Sequence, residues 1–176
     1  IIAFADAVDP GDIRETIGRQ IEYNTAISRE GLGGHWGAEV GRTILNMHGE
    51  GDLTARACAA ASAGSDARMS GCDRPVVIVS GSGNQGMTAS LPVIEYARAM
   101  NADEELLLRA LVVADLITIH QKTPIGRLSA FCGAVSAGCG AAAGIAYLYG
   151  GRYDEVAHTI ANTLAICSGM ICDGAK

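Results

Sequence analysis

Four short stretches hold the residues whose types and spacing could do chemistry. The first is Gly81-Ser82-Gly83-Asn84-Gln85-Gly86, which follows the β-branched run Val76–Val79 and precedes a helical pattern. Such a loop frees backbone N–H groups at a helix N-terminus, where they could cradle a carboxylate or another anion. It also matches the G-x-G-x-x-G dinucleotide fingerprint. A dinucleotide unit, however, needs a second strand ending in an acid about 20 residues on, and Ala102-Asp103-Glu104-Glu105 there reads as a helix start. A plain turn is the remaining reading of this loop.

The second stretch, His120-Gln121-Lys122-Thr123-Pro124-Ile125-Gly126-Arg127, places polar groups between two apolar segments. Lys122 and the terminal Lys176 are the two lysines of the chain, so Lys122 is the sensible Schiff-base candidate if pyridoxal phosphate were the cofactor. Lys122 and Arg127 could instead bind a substrate carboxylate, or the stretch could be a solvated turn. The third stretch carries Cys132 and Cys139 at i, i+7. On a helix these thiols share a face roughly 10 Å apart, too far for one mononuclear metal without other ligands. In the fourth, Cys172 sits in a loop-like Cys-Asp-Gly where a thiolate could face a site, and Cys167 reads as packing. Cys58 and Cys139 read as small hydrophobes, and Cys72 as incidental. No C-x-x-C occurs among the six cysteines, which argues against a zinc ribbon.

The elements that position these residues are helical. Ile13, Ile17 and Ile21 share a face of a helix running from Pro10 to about Arg29, ended by Gly31-Leu32-Gly33-Gly34. Further helices are expected over about 36–47, from an Asp52 cap to Met69, from the glycine loop to about Met100, from an Asn101/Glu104 capping box to about His120, over about 125–149 as one helix or a pair, and from Asp154 to about Ser168. The expectation is an all-α fold of packed helices with at most one short extended segment, Val76–Val79. Composition agrees. The chain has 23 glycines and 29 alanines in 176 residues, with aromatics at 5%. A core of such small side chains gains contact by close backbone approach, whereas a β-sandwich wants Val, Ile and aromatics.

Composition also excludes function classes. Apolar residues at 49% and charged residues at 18% exclude disorder. A net charge of −6 with pI near 5.1 leaves no basic face for nucleic acid. The 24 uncharged residues from Leu128 to Gly151 are long enough to span a bilayer, but they are mostly Gly, Ala, Ser and Cys with few Leu or Ile, and Arg127 follows Lys122 without an aromatic belt around it. A buried helix is the better reading. The length suits one domain. Because the chain opens on Ile1-Ile2-Ala3 and stops just after an apolar run, the expectation is a single helical domain cut from a longer catalytic chain, and inactive alone. No signal peptide is visible.

Taken together, Ser80-Gly81-Ser82-Gly83-Asn84-Gln85-Gly86-Met87, Gly126-Arg127-Leu128-Ser129-Ala130-Phe131-Cys132-Gly133-Ala134 and Ile171-Cys172-Asp173-Gly174-Ala175-Lys176 resemble the iron–sulfur L-cysteine desulfidase family, itself related to the alpha chain of iron–sulfur L-serine dehydratase. The resemblance is strong from about Val76 to Lys176 and loose before that. It implies an all-helical catalytic region holding a [4Fe–4S] cluster, with Cys132 and Cys172 as ligands and a third cysteine expected beyond Lys176. It implies β-elimination from a small L-amino acid, L-cysteine ahead of L-serine, in the cytoplasm. Ser82, Asn84, Gln85 and Arg127 would bind the substrate, and Lys122 or His120 would be the base. An open iron would replace the electron sink of pyridoxal phosphate as a Lewis acid. The competing expectations are a nucleotide-binding oxidoreductase built on the glycine loop and a non-catalytic helical interaction domain. The small-residue helices also permit a homo-oligomer.

Overall fold

The structure, a computed structural model, describes residues 1–126 and 129–171. Among these, the elements are helices: α1 (Ile2–Ala7), α2 (Pro10–Gly33), α3 (Val40–His48), α4 (Leu53–Met69), α5 (Gly83–Met100), α6 (Glu104–Lys122), α7 (Gly133–Leu148) and α8 (Tyr153–Cys167). No strand forms among the described residues; two isolated bridges, Val79–Ser82 and Phe131–Ile171, are the nearest approach to one. The fold is all-α, as the small-residue composition implies.

The local signals explain most helix starts. Asp9 accepts from Gly11 N ahead of Pro10 at the first position of α2. Asp52 accepts from both Thr54 N and Ala55 N, as its place before α4 suggests. At α6 the expected box is replaced. Asn101 closes α5 in a left-handed conformation, and Asp103 caps α6 by accepting from Leu106 N. The expected break at Gly31 does not occur, and α2 runs on to Gly33. A Cβ on Gly31 would lie 2.0 Å from the Ala63 carbonyl oxygen. The glycine there lets α2 and α4 touch backbone to backbone, and tertiary packing overrides its helix-breaking tendency. The region expected as one helix or a pair over 125–149 holds α7 alone, starting at Gly133.

The core follows from such contacts. Helix α4 buries small residues over a broad face, from Ala55 to Ala67, between α2, α3 and α5. Helix α7 lies against α6 in the same way. A Cβ on Gly140 would meet the Thr118 hydroxyl oxygen at 2.1 Å and the Ala114 carbonyl oxygen at 2.3 Å, and one on Gly144 would meet the Ala110 carbonyl oxygen at 2.9 Å. Four residues forward on α7 match four residues backward on α6, so the pair is antiparallel. Gly133 meets Gln85 and Gly144 meets Val93, so α7 runs parallel to α5. No described helix is long and apolar enough to cross a membrane; the uncharged run supplies α7, whose 16 residues are packed inside protein.

Polar groups also reach the interior. Gln20, Asn24 and Ser28, one turn apart on α2, are buried. Gln20 Nε2 donates to Asp115 Oδ1 of α6 at 3.0 Å. The Asp115 residue keeps some surface, but its carboxyl is buried, and burial pushes its pKa from the ordinary 3.8 to about 7 against the opposing pull of the Gln20 hydrogen bond.

Two measurements check this packing. Gly140→Ala should destabilise the protein by about 1–3 kcal/mol in urea unfolding, because the new methyl meets backbone that cannot retreat. Asp115 stabilises the fold in its protonated form. That contribution is complete below about pH 4 and is lost as pH rises through about 7. Asp115→Asn keeps an acceptor for Gln20 and cannot ionise. It should gain stability over the native protein as pH rises from 4 to 8, by up to ~4 kcal/mol, with no advantage at pH 4.

Candidate active site

Because α5 and α7 are parallel and α6 opposes them, the α5 and α7 N-termini and the α6 C-terminus meet at one end of the bundle. Each helix N-terminus carries roughly half a positive charge, so this end favours an anion.

The glycine loop starts α5. Ser80 (φ 50°) and Gly81 (φ 92°) form a left-handed turn, closed by mutual hydrogen bonds between Val79 and Ser82 at 3.3 Å. Ser82 occupies the N-cap position but makes no side-chain cap. Two of the glycines serve packing. A Cβ on Gly86 would lie 2.0 Å from the Val77 carbonyl oxygen, and one on Gly83 would lie 2.5 Å from Arg68 Nε. At Gly83 the approach is filled by the Arg68 side chain, where the dinucleotide fingerprint would place a pyrophosphate. With no sheet among the described residues, the nucleotide-binding oxidoreductase reading loses its scaffold.

Asn84 Oδ1 accepts from Arg68 Nη1 at 3.2 Å. Gln85 is 7% exposed and its side chain lies against Gly133, the first residue of α7. Its Oε1 is buried with no hydrogen-bond partner among the described residues. Lys122 ends α6 and is 3% exposed. It stands one turn beyond Thr118, which packs on Gly140, and so lies towards the first turn of α7. Among the described residues its Nζ takes part in no hydrogen bond or ion pair. His120 is exposed. It lines a separate groove of about 710 Å³ with Asp6, Gln121, Arg152 and Tyr153. The two candidate bases therefore face different surroundings.

Cys132 is the N-cap residue of α7. Its N–H donates to the Met170 carbonyl at 3.4 Å, and Phe131 pairs with Ile171. The segment leading into Cys172 thus runs beside Cys132. Arg127 and Cys172 themselves lie outside the described residues. Cys139, the packing cysteine, is buried, with its thiol 3.9 Å from the Ile160 carbonyl. Burial, with Cys167 nearby, pushes its pKa up to about 11. Cys58 departs from expectation. It is exposed on α4, because α4 packs its other faces and leaves this one outward. No group of three His, Cys, Asp or Glu side chains suited to a metal occurs among the described residues.

Residues 3–176 match the model of the serine dehydratase alpha chain family. The chain belongs to the serine dehydratase alpha chain family. Its relatives include a UPF0597 protein of Desulfitobacterium hafniense, 64% identical over all of this chain and 41% of that protein. Another, from Lachnoclostridium phytofermentans, is 56% identical over all of this chain and 42% of that protein. The UPF0597 protein YhaM of Salmonella typhi is 45% identical over all of this chain and 41% of that protein. The chain thus spans about two fifths of the length of these relatives. No solved structure matches it.

The resemblance of the motifs implies an iron–sulfur cluster, and the residues present can be tested against that group. Cys132 supplies a thiol at a helix N-terminus, suited to an anionic, thiolate-bound group. The unpartnered Gln85 Oε1, against Gly133, is an acceptor and calls for a donor group rather than for the cluster. The fit to a cluster therefore rests on the Cys132 thiol.

Arg68 and Asn24 were not candidates in the sequence. Arg68 is one cation in a small-residue helix, and nothing in its spacing points to Asn84. Asn24 carried a signal, since Gln20, Asn24 and Ser28 recur at helical period alongside the apolar face of α2. The cysteines separate by environment. In native, metal-free protein at pH 8, iodoacetamide should modify Cys132 while leaving Cys139 unmodified, as peptide mapping would record.

Proposed function

We propose that the full-length protein is an iron–sulfur-dependent lyase that carries out β-elimination on a small L-amino acid. L-Cysteine, giving pyruvate, ammonia and sulfide, is the favoured substrate. L-Serine is the close variant, kept in view by the match to the serine dehydratase alpha chain. The observation that carries the reading is the meeting of Cys132, the Met170–Ile171 segment, Gln85 and the α6 terminus bearing Lys122 at one end of the bundle.

Cys132 and Cys172 would hold a [4Fe–4S] cluster, with a third cysteine from the sequence beyond Lys176. When bound, the cluster would supply a Lewis-acidic iron to the leaving group or carboxylate. The remaining work falls to this chain's side chains. The α5 N-terminus, Ser82, Asn84 and Arg127 bind the substrate carboxylate, and Arg68 beside Asn84 adds positive charge there. Gln85 offers its free Oε1 to the substrate ammonium. Lys122 takes the α-proton on Nζ. The Cα–H electron pair forms the Cα–Cβ double bond, and the Cβ–S or Cβ–O pair departs with HS⁻ or HO⁻. The enamine tautomerises and hydrolyses to pyruvate and ammonia. The burial of Lys122 near α7, against the outward position of His120, supports Lys122 as the base. The oxygen sensitivity of an open iron supports a cytoplasmic setting, and a free small amino acid needs no macromolecular partner.

The test uses the full-length protein purified without oxygen. Absorbance near ~400 nm, where thiolate-bound clusters absorb, should be present in the native protein and lost in both Cys132→Ser and Cys172→Ser. Sulfide release from L-cysteine, or pyruvate from L-serine, should fall with it. A colourless, iron-free protein after reconstitution with iron and sulfide would overturn the proposal.

A further inference from the structure

The extended segment Val76–Val79 has no neighbouring strand, yet its backbone groups need partners. Asn24 supplies both for Val77. It is 0% exposed. Its Oδ1 accepts from Val77 N at 2.9 Å, and its Nδ2 donates to Val77 O at 3.3 Å and to Ser90 Oγ at 3.1 Å. Ser90 Oγ in turn donates to the Gly86 carbonyl at 2.8 Å. Every donor of the Asn24 amide is used, and Ser90 acts as acceptor and donor at once. On its other side, the Val77 carbonyl rests where a Cβ of Gly86 would be. The backbone at Val77 is therefore held between Asn24 and the first turn of α5. The loop from Ser80 to Gly86 is anchored at both ends through one side chain.

We infer that Asn24 is the positioning residue of the glycine loop: its amide replaces a missing strand at Val77 and, through Ser90, sets the first turn of α5 that carries Ser82, Asn84 and Gln85. The inference rests on the proposed role of that turn in binding the amino-acid substrate. The side chain required is narrowly defined. Aspartate keeps the acceptor and loses both donors, and leucine keeps the size and loses both functions. Ser28, one turn along α2, is equally hidden and makes a similar buried bond, to the Ala60 carbonyl at 2.8 Å. That bond faces α4 and not the loop, so Ser28 serves as an internal control for stability alone.

The experiment compares Asn24→Leu, Asn24→Asp, Ser90→Ala and Ser28→Ala in the full-length protein. It reads Tm, KM and kcat for the amino acid, and hydrogen exchange of the amides of residues 79–86. Asn24→Leu should raise KM about tenfold, with a smaller change in kcat, and should speed loop exchange about tenfold. Asn24→Asp and Ser90→Ala should shift both in the same direction by less, and they carry the test if Asn24→Leu does not fold. Ser28→Ala should lower Tm while leaving KM and loop exchange unchanged. Loop exchange unaltered in the Asn24 and Ser90 variants, or altered equally by Ser28→Ala, would overturn the inference. Exchange is read without turnover. A native protein that releases no product from L-cysteine or L-serine would therefore count against the lyase proposal, and the exchange result would still decide the role of Asn24.

Discussion

The end of the bundle where the candidate site lies exists because glycines of α7 are pressed onto the backbone and small side chains of α6. Gly140 and Gly144 bring the α7 backbone to the carbonyls of Ala114 and Ala110. Any larger residue would push the helices apart, and interiors packed at crystal density have no slack to absorb the shift. The same contact sets the level at which α7 begins. Cys132 and Gly133 consequently stand beside Gln85 of α5 and near the last turn of α6. A chain with only 5% aromatic residues can form such a core because it trades side-chain volume for backbone proximity.

Placing polar groups inside this packing is costly unless each is satisfied. Most are. On α2, Gln20 reaches α6, Asn24 reaches Val77 and α5, and Ser28 reaches α4. One face of one helix thereby fixes the relative positions of three others by hydrogen bonds, which are directional in a way that alanine contacts are not. Among the described residues the buried side-chain oxygens without a partner are Gln20 Oε1, Thr25 Oγ1 and Gln85 Oε1. Of these, Gln85 stands beside the start of α7, where the proposed substrate would complete its bonding.

Several features were legible beforehand because they are local. The Asp52 cap and the helix opened by the glycine loop depend on residues a few positions apart. Others were not. Gly31 looks like a helix stop, yet it continues α2, because its missing Cβ admits the Ala63 carbonyl from a helix 32 positions away. Asn101 looks like the start of a capping box and instead closes the preceding helix in a left-handed conformation. The glycines of G-x-G-x-x-G look like ligand contacts, but Gly86 and Gly83 accommodate Val77 and Arg68.

The amino-acid sequence by itself determined the helical class and the small-residue character of the core, since these follow from composition and period, while β-elimination is what the resemblance of its motifs implies. Tertiary structure decided which of the candidate residues lie near one another. His120 and Lys122 are two positions apart, and on a helix that spacing turns them to different sides, so helix packing buries one and leaves the other in a separate groove. Asn24 and Val77 are 53 positions apart, and no local pattern joins them. Their contact arises because an unpaired extended segment must satisfy its backbone, and the fold brings it to a buried amide that can do so.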